Sequence, residues 1–212
     1  MKTKTKLAGL TAALAMALYG SAQAAPITTL PTLTSTGGDV QAFYAYADAG
    51  DSSILSLTSP SSFSPIFCNH STGGCTGATV GDQVDLGVLA AGAVVFSLNN
   101  VTQSQTYTTD LLDSDGNAHV KVSTNYADFG VGTIPTSLQN YITANPGVEV
   151  VYIGWEDRNQ AEGSDFDYND LVFAFTNLTQ APPVSTPEPA SLALLGAGLA
   201  GLGALRRRKK AA

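Results

Sequence analysis

Positive charge is almost missing from the middle of this 212-residue chain. Of ten Lys and Arg residues, only Lys121 and Arg158 lie within residues 25–189, which hold all 17 Asp and Glu residues. That imbalance excludes nucleic acid or anionic lipid as an electrostatic partner. It also makes the body self-repelling unless cations intervene, and divalent metal is the expected neutraliser. Histidine is scarce too, with His70 and His119 alone. A catalytic triad or a zinc-hydrolase centre therefore has little to draw on, and no Gly-x-Ser-x-Gly element occurs. There are two cysteines, Cys68 and Cys75, in "CNHSTGGC". No apolar run reaches the roughly 20 residues of a comfortable transmembrane helix.

What is present at each end reads as an address. Lys2, Lys4 and Lys6 precede an apolar run from Leu7 to Tyr19, and Ala22 and Ala24 sit where a signal peptidase reads. The pattern predicts a secretory signal peptide over 1–24, cut between Ala24 and Ala25. A first transmembrane helix is the alternative, but the run is short and Ala-x-Ala follows at once. At the other end, Pro187-Glu188-Pro189 precedes sixteen apolar or small residues, Ala190 to Leu205, and then five cations. A helix over 190–205 would rise roughly 24 Å against a hydrocarbon core of about 30 Å, a marginal span. The cluster Arg206, Arg207, Arg208, Lys209 and Lys210 is expected to stay cytoplasmic and leave the body outside. A weak permanent anchor is one reading of this tail.

The tail, residues 187–210, also resembles the PEP-CTERM sorting signal, carried by Pro187, Glu188, Pro189, the short helix and the Arg206–Arg208 cluster. That resemblance implies an exported protein of an exopolysaccharide-producing Gram-negative bacterium. It would be processed by signal peptidase and by an exosortase-type transpeptidase. The tail would then be a transient inner-membrane tether, and the body would end at the cell surface or in the extracellular matrix of a biofilm.

Residues 25–180 are long enough for one domain, and the Pro-rich stretch 181–189 is a stiff spacer. "VQAFYAYA", "ILSLTS", "SPIFCN", "QVDLGVL", "AVVFSLNNV", "TYTTDLL", "AHVKVSTNY", "VEVVYIGW" and "DLVFAFTNL" are short runs rich in Val, Tyr, Phe and Thr. Turn residues separate them, which predicts an all-β, antiparallel β-sandwich or jelly-roll-like body. "PTSLQNYITANPG" offers one helical turn, stopped by Pro146 and Gly147. In an exported protein the Cys68 and Cys75 pair predicts a disulfide. A metal site of Cys68, His70 and Cys75 is the rival.

The densest chemistry is the loop at 154–171, "GWEDRNQAEGSDFDYNDL". Glu156, Asp157, Asp165, Asp167, Asn169 and Asp170 are the candidate calcium ligands there. Asp165, Asp167 and Asn169 follow the i, i+2, i+4 spacing of oxygen donors wrapped around Ca2+, without the Gly and Glu positions of an EF-hand. A solvated acidic loop of turn-forming residues is the alternative. Asp113, Asp115 and Asn117 form a second, weaker metal candidate, where Asp115-Gly116 also reads as a hairpin turn. His119 reads as a packed or hydrogen-bonded side chain rather than a catalyst. Residues 148–176 are similar to the end of the family known as domain of unknown function 4114. That resemblance implies a β-rich extracellular module with the acidic motif as a cation site, in a family with no established enzymatic activity.

The expected function is a structural or interaction protein of the cell surface, sorted by its tail and stabilised by calcium. The alternative is a calcium-dependent carbohydrate-binding module, with Trp155, Tyr152 and Tyr168 as sugar platforms and exopolysaccharide as partner. A polysaccharide hydrolase using paired carboxylates is the third reading; the chain is expected not to be an enzyme.

Overall fold

A computed structural model describes residues 24–181. The signal peptide before Ala24, the spacer beyond residue 181, the sorting residues Pro187, Glu188, Pro189, Arg206, Arg207 and Arg208, and the helix expected at 190–205 lie outside the described residues. Ala24 and Ala25, the expected cleavage junction, are exposed.

The β-branched and aromatic runs form strands as their composition requires. The strands are β1 (Leu33–Ser35), β2 (Asp39–Ala47), β3 (Ser53–Ser59), β4 (Phe63–Cys68), β5 (Gln83–Val88), β6 (Gly92–Ala93), β7 (Val95–Asn100), β8 (Gln105–Thr108) and β9 (Val120–Ser123). After helix α1 (Thr136–Ala144) come β10 (Val150–Trp155), β11 (Leu171–Thr176) and β12 (Leu178–Gln180). They build a five-stranded sheet in the order β5-β2-β11-β10-β9, a four-stranded sheet β4-β3-β7-β8 and a small sheet β12-β1-β6. Every pairing is antiparallel.

The two larger sheets pack face to face as a sandwich. Period-2 alternation divides β11 between two cores. Phe173 and Phe175 point into the core between the sheets, with Tyr44, Phe67, Phe96, Leu98 and Trp155. Val172 and Ala174 point the other way, into a second cluster with Phe43, Leu138, Phe129 and Tyr168. Phe175 packs against Phe96 at 4.3 Å between ring centroids, and Phe173 stacks on Phe67. Truncating either buried phenylalanine to Ala would cost roughly 3–5 kcal/mol.

Four details depart from the sequence reading. The expected single helical turn is a nine-residue helix, α1, because Leu138 is buried and Tyr141 meets Phe43 edge-on at 5.3 Å. Tertiary packing thus extends the helix to Ala144, just before the Asn145-Pro146 stop. The last expected strand is broken at Asn177, whose φ of 55° is left-handed, so β12 leaves for the third sheet. That sheet was not foreseen; its strands β1, β6 and β12 are two or three residues long. Asp115-Gly116 forms a turn but no hairpin, since β8 pairs with β7 and β9 with β10.

Cys68 and Cys75 are joined in a disulfide, which rules out the metal site with His70. His70 instead places Nδ1 3.2 Å from the Asp51 carbonyl. Among the described residues no helix is long and apolar enough to cross a membrane.

Candidate metal centre

The β10–β11 pair ends with Trp155 opposite Leu171, so residues 156–170 form the connection between neighbouring central strands. Glu156 opens it and turns inward, with no solvent exposure. Its Oε1 accepts from the Tyr168 amide and its Oε2 from the Ser164 hydroxyl, both at 2.5 Å. One carboxylate therefore folds the far end of the loop back onto its start. The Tyr168 hydroxyl accepts from the Ile27 amide at 2.8 Å and donates to the Ala118 carbonyl at 3.2 Å. Phe166 and Tyr168, both buried, hold left-handed φ values of 56° and 61° on either side of Asp167. Such conformations cost about 1 kcal/mol or more each and persist only when packing over-determines them. Gly154 makes this close approach possible: a Cβ there would collide with the Tyr168 carbonyl and the Phe129 ring. Asn159 caps the short turn Gln160–Glu162 with a full capping box.

The carboxylates fall into two groups. Oxygens of Glu156, Asp165 and Asp167 lie within 4.8 Å of one another, close enough to share one ion. Asn169 stands beside them: its backbone N–H donates to Asp167 Oδ1 at 3.1 Å and its Nδ2 to Oδ2 at 2.7 Å, contacts that do not use its side-chain carbonyl oxygen. The second group is Asp157 with Asp170. The Asp157 amide donates to Asp170 Oδ2 at 3.0 Å. Burial pushes both carboxyls above their ordinary range, and their mutual repulsion adds to the shift of Asp157. Burial likewise pushes Glu156 up to about 7, and Asp167 in the same direction. Hydrogen bonds from Ser164, Tyr168 and Asn169 oppose these shifts without cancelling them, and nearby positive charge would oppose them further.

The one cation of the loop lowers Asp157, but burial and the neighbouring carboxylates outweigh it. Arg158 is committed to Asp51, donating Nε to Oδ2 at 3.0 Å and Nη2 to Oδ1 at 2.9 Å. Asp51 is 5% exposed and also accepts from Asn100 and Gln103. The Arg158 hydrogen bond holds its carboxyl down at about 2. The Asn100 amide reaches on to the Asp157 carbonyl at 2.5 Å, tying the four-stranded sheet to the loop.

An oxygen-only donor set, with Glu156 buried, Asp167 half-buried and Asp165 exposed, fits a hard divalent ion, and calcium tolerates such irregular shells best. Glu156, Asp165 and Asp167 would hold it, as loop donors drawn together by the ion.

The second candidate resolves differently. Asp113 and Asp115 come together with His119, not with Asn117 as the third member. Asn117 donates its backbone amide to Asp115 Oδ1 at 2.9 Å, and its carbonyl accepts from the Asp113 amide at 2.9 Å. His119 is buried, stacks on Tyr107 at 4.4 Å and places Nε2 3.0 Å from Asp115 Oδ2. Burial opposes ionisation of Asp115, but the Asn117 and Gln160 amides outweigh it and lower its pKa. His119 Nδ1 has no partner among the described residues. A metal-bound histidine normally donates its other nitrogen to an acceptor. The geometry thus fits a His–Asp clamp better than a metal ligand set.

Trp155, Tyr152 and Tyr168 are at most 6% exposed, so none offers a ring face to a sugar. Trp155 is core. Asp48, Asp51, Asn100 and Ser164 also belong to the site's surroundings and were not singled out from the sequence. "ADAGDSS", which carries Asp48 and Asp51, reads as an ordinary turn until β2 and β11 are seen to pair.

The PEP-CTERM protein-sorting motif matches residues 185–209. No family match supports the resemblance of the body to domain of unknown function 4114. No curated protein matches the chain, and no solved structure does. The matched motif marks an exported protein of the Gram-negative type whose C-terminus is handled by an exosortase-type enzyme.

Proposed function

We propose that this protein is a structural or interaction module of the bacterial surface or extracellular matrix, delivered through its sorting tail and held rigid by calcium. The observation that carries the reading is a sorting motif joined to an acidic β-sandwich whose only loop cation, Arg158, is already paired. Outside the cell, calcium is available at concentrations that favour weak, carboxylate-rich extracellular sites. The ion would draw Glu156, Asp165 and Asp167 together and fix the connection between β10 and β11.

We read these acids as ligands rather than as an acid–base pair. Both oxygens of Glu156 already hold the loop, through Tyr168 and Ser164. Calcium then acts as a structural brace, and the exposed strand edges and turns carry the interactions.

Sorting is tested in the native host by intact-mass analysis of released protein. The reading expects an N-terminus at Ala25 and loss of the Arg/Lys tail. Released protein that keeps residues 206–210 would overturn the sorting step. Deleting the exosortase-type enzyme should leave the full tail on the body and hold it in the membrane fraction.

A further inference from the structure

The first described residues are tied to the acidic loop. The Ile27 amide donates to the Tyr168 hydroxyl at 2.8 Å, and the Ile27 carbonyl accepts from the Ala118 amide at 2.7 Å. Ile27 also packs against the second apolar cluster. Just before this anchor, Ala24 and Ala25 line a cavity of about 450 Å³ together with Lys121, Asp128, Asp167 and Asn169. Two carboxylates share that cavity with a single ammonium group. Lys121 Nζ donates to the Asp128 backbone carbonyl at 2.7 Å and lies 5.2 Å from the centre of the Phe129 ring. The carboxylates accept from neutral donors, Asp128 from Ser123 and Asn125 and Asp167 from Asn169. Neither forms a salt bridge among the described residues.

We propose that this cavity is the seat of the protein's own mature amino terminus. The proposal rests on the cut expected between Ala24 and Ala25, not on the calcium ion. Hydrolysis there adds one water across the amide: Ala24 leaves with a carboxylate, and Ala25 keeps a protonated α-amine. An α-amine has an ordinary pKa of about 8, so it is charged at neutral pH. The cut thus gives the body a third cation beside Lys121 and Arg158, and no side chain encodes it. Ala25 is two residues from the Ile27 anchor, which confines the new charge to roughly 7 Å from that point. Asp128 and Asp167 are then balanced by two positive charges instead of one. Before cleavage the same position holds a neutral amide, so maturation itself supplies the counter-charge that holds the end of the loop.

The test compares two modifications of the mature secreted protein, melted at neutral pH in chelator so that calcium plays no part. Mild acetylation at about pH 6.5 prefers α-amines to lysine side chains and removes the charge. Reductive dimethylation adds similar bulk and keeps the charge. Peptide mass mapping identifies the N-terminus and the modified amine. Acetylated protein is expected to melt about 2–4 °C lower than unmodified protein, and dimethylated protein at the unmodified temperature. The acetylation shift should shrink in Asp128→Asn or Asp167→Asn and vanish in the double variant, because the partner charges are then gone. Three results would each overturn the proposal: no acetylation shift, an equal drop in dimethylated protein, or a shift that survives undiminished in all three variants. A mature N-terminus other than Ala25 would overturn it together with the expected cut.

Discussion

Arg158 grips Asp51 through two parallel hydrogen bonds, Nε to Oδ2 at 3.0 Å and Nη2 to Oδ1 at 2.9 Å. The contact links the turn after β2 to the acidic connection after β10. It also spends the loop's only positive side chain on an acid outside the loop. The remaining carboxylates are left to repel one another, at a cost on the order of 4 kcal/mol for a pair about 4 Å apart at an effective dielectric of 20.

Asp51→Ala should therefore destabilise the body by roughly 2–3 kcal/mol, through loss of a buried, charge-assisted network. Chemical denaturation of wild type and variant checks the figure. The Asp51 carboxyl is lowered from 3.8 to about 2. Its stabilisation is thus fully present above the ordinary carboxylate value and disappears as pH falls towards 2. The difference between wild type and Asp51→Ala should shrink over that acid window and stay constant above it.

Gly154→Ala places a methyl group against the Tyr168 carbonyl and the Phe129 ring. Backbone cannot yield as a flexible side chain can, so about 3 kcal/mol or more of destabilisation is expected. Because Tyr168 carries the amide that binds Glu156, the variant should also bind calcium more weakly. Unchanged stability and unchanged calcium affinity would show that the loop does not press on β10.

Metal-free protein should lose stability as pH rises. Glu156 is raised from 4.5 to about 7 by burial, and Asp157, Asp167 and Asp170 shift in the same direction. Acids with raised folded-state pKa values favour folding below their ordinary range and lose that contribution as pH climbs through the raised value. In chelator, the melting temperature should fall between about pH 5 and pH 8. With calcium present the ionised form is the bound one, so the slope should flatten or reverse.

Cys75→Ser should cost about 2.5 kcal/mol, the chain-entropy value for so short a loop. Thermal melts should show this as a drop of several degrees, and unmodified protein should contain no free thiol.

Much of the sandwich was legible because alternation is a local signal. Phe173 and Phe175 against Val172 and Ala174 announce a strand buried on both faces, and β11 is that strand. The third sheet was not legible, since "LTS" and "GA" carry no pattern and form strands only through their partners. The helix α1 was underestimated because its length depends on Leu138 finding the far side of the sheet. In the candidate site, the linear spacing of Asp165, Asp167 and Asn169 singled out the loop where Glu156, Asp165 and Asp167 come together. Glu156 was a candidate beside Asp157, and it is Glu156 that the fold brings to Asp165 and Asp167; the spacing could not show that Asn169 donates to Asp167. Asp48 and Asp51 join through the β2–β11 pairing, a long-range relationship that no local pattern encodes.

The most direct test of the calcium brace is a thermal melt of the secreted protein at neutral pH in chelator, in magnesium and in calcium, repeated for Asp167→Ala. An ion present at about 100 times its dissociation constant stabilises the folded state by roughly 2.7 kcal/mol. For a body of this size that corresponds to a rise of about 5–10 °C. The account predicts this rise in calcium, a smaller one in magnesium, and loss of most of it in Asp167→Ala. A wild-type midpoint that calcium leaves unmoved, or a full rise retained in Asp167→Ala, would contradict it.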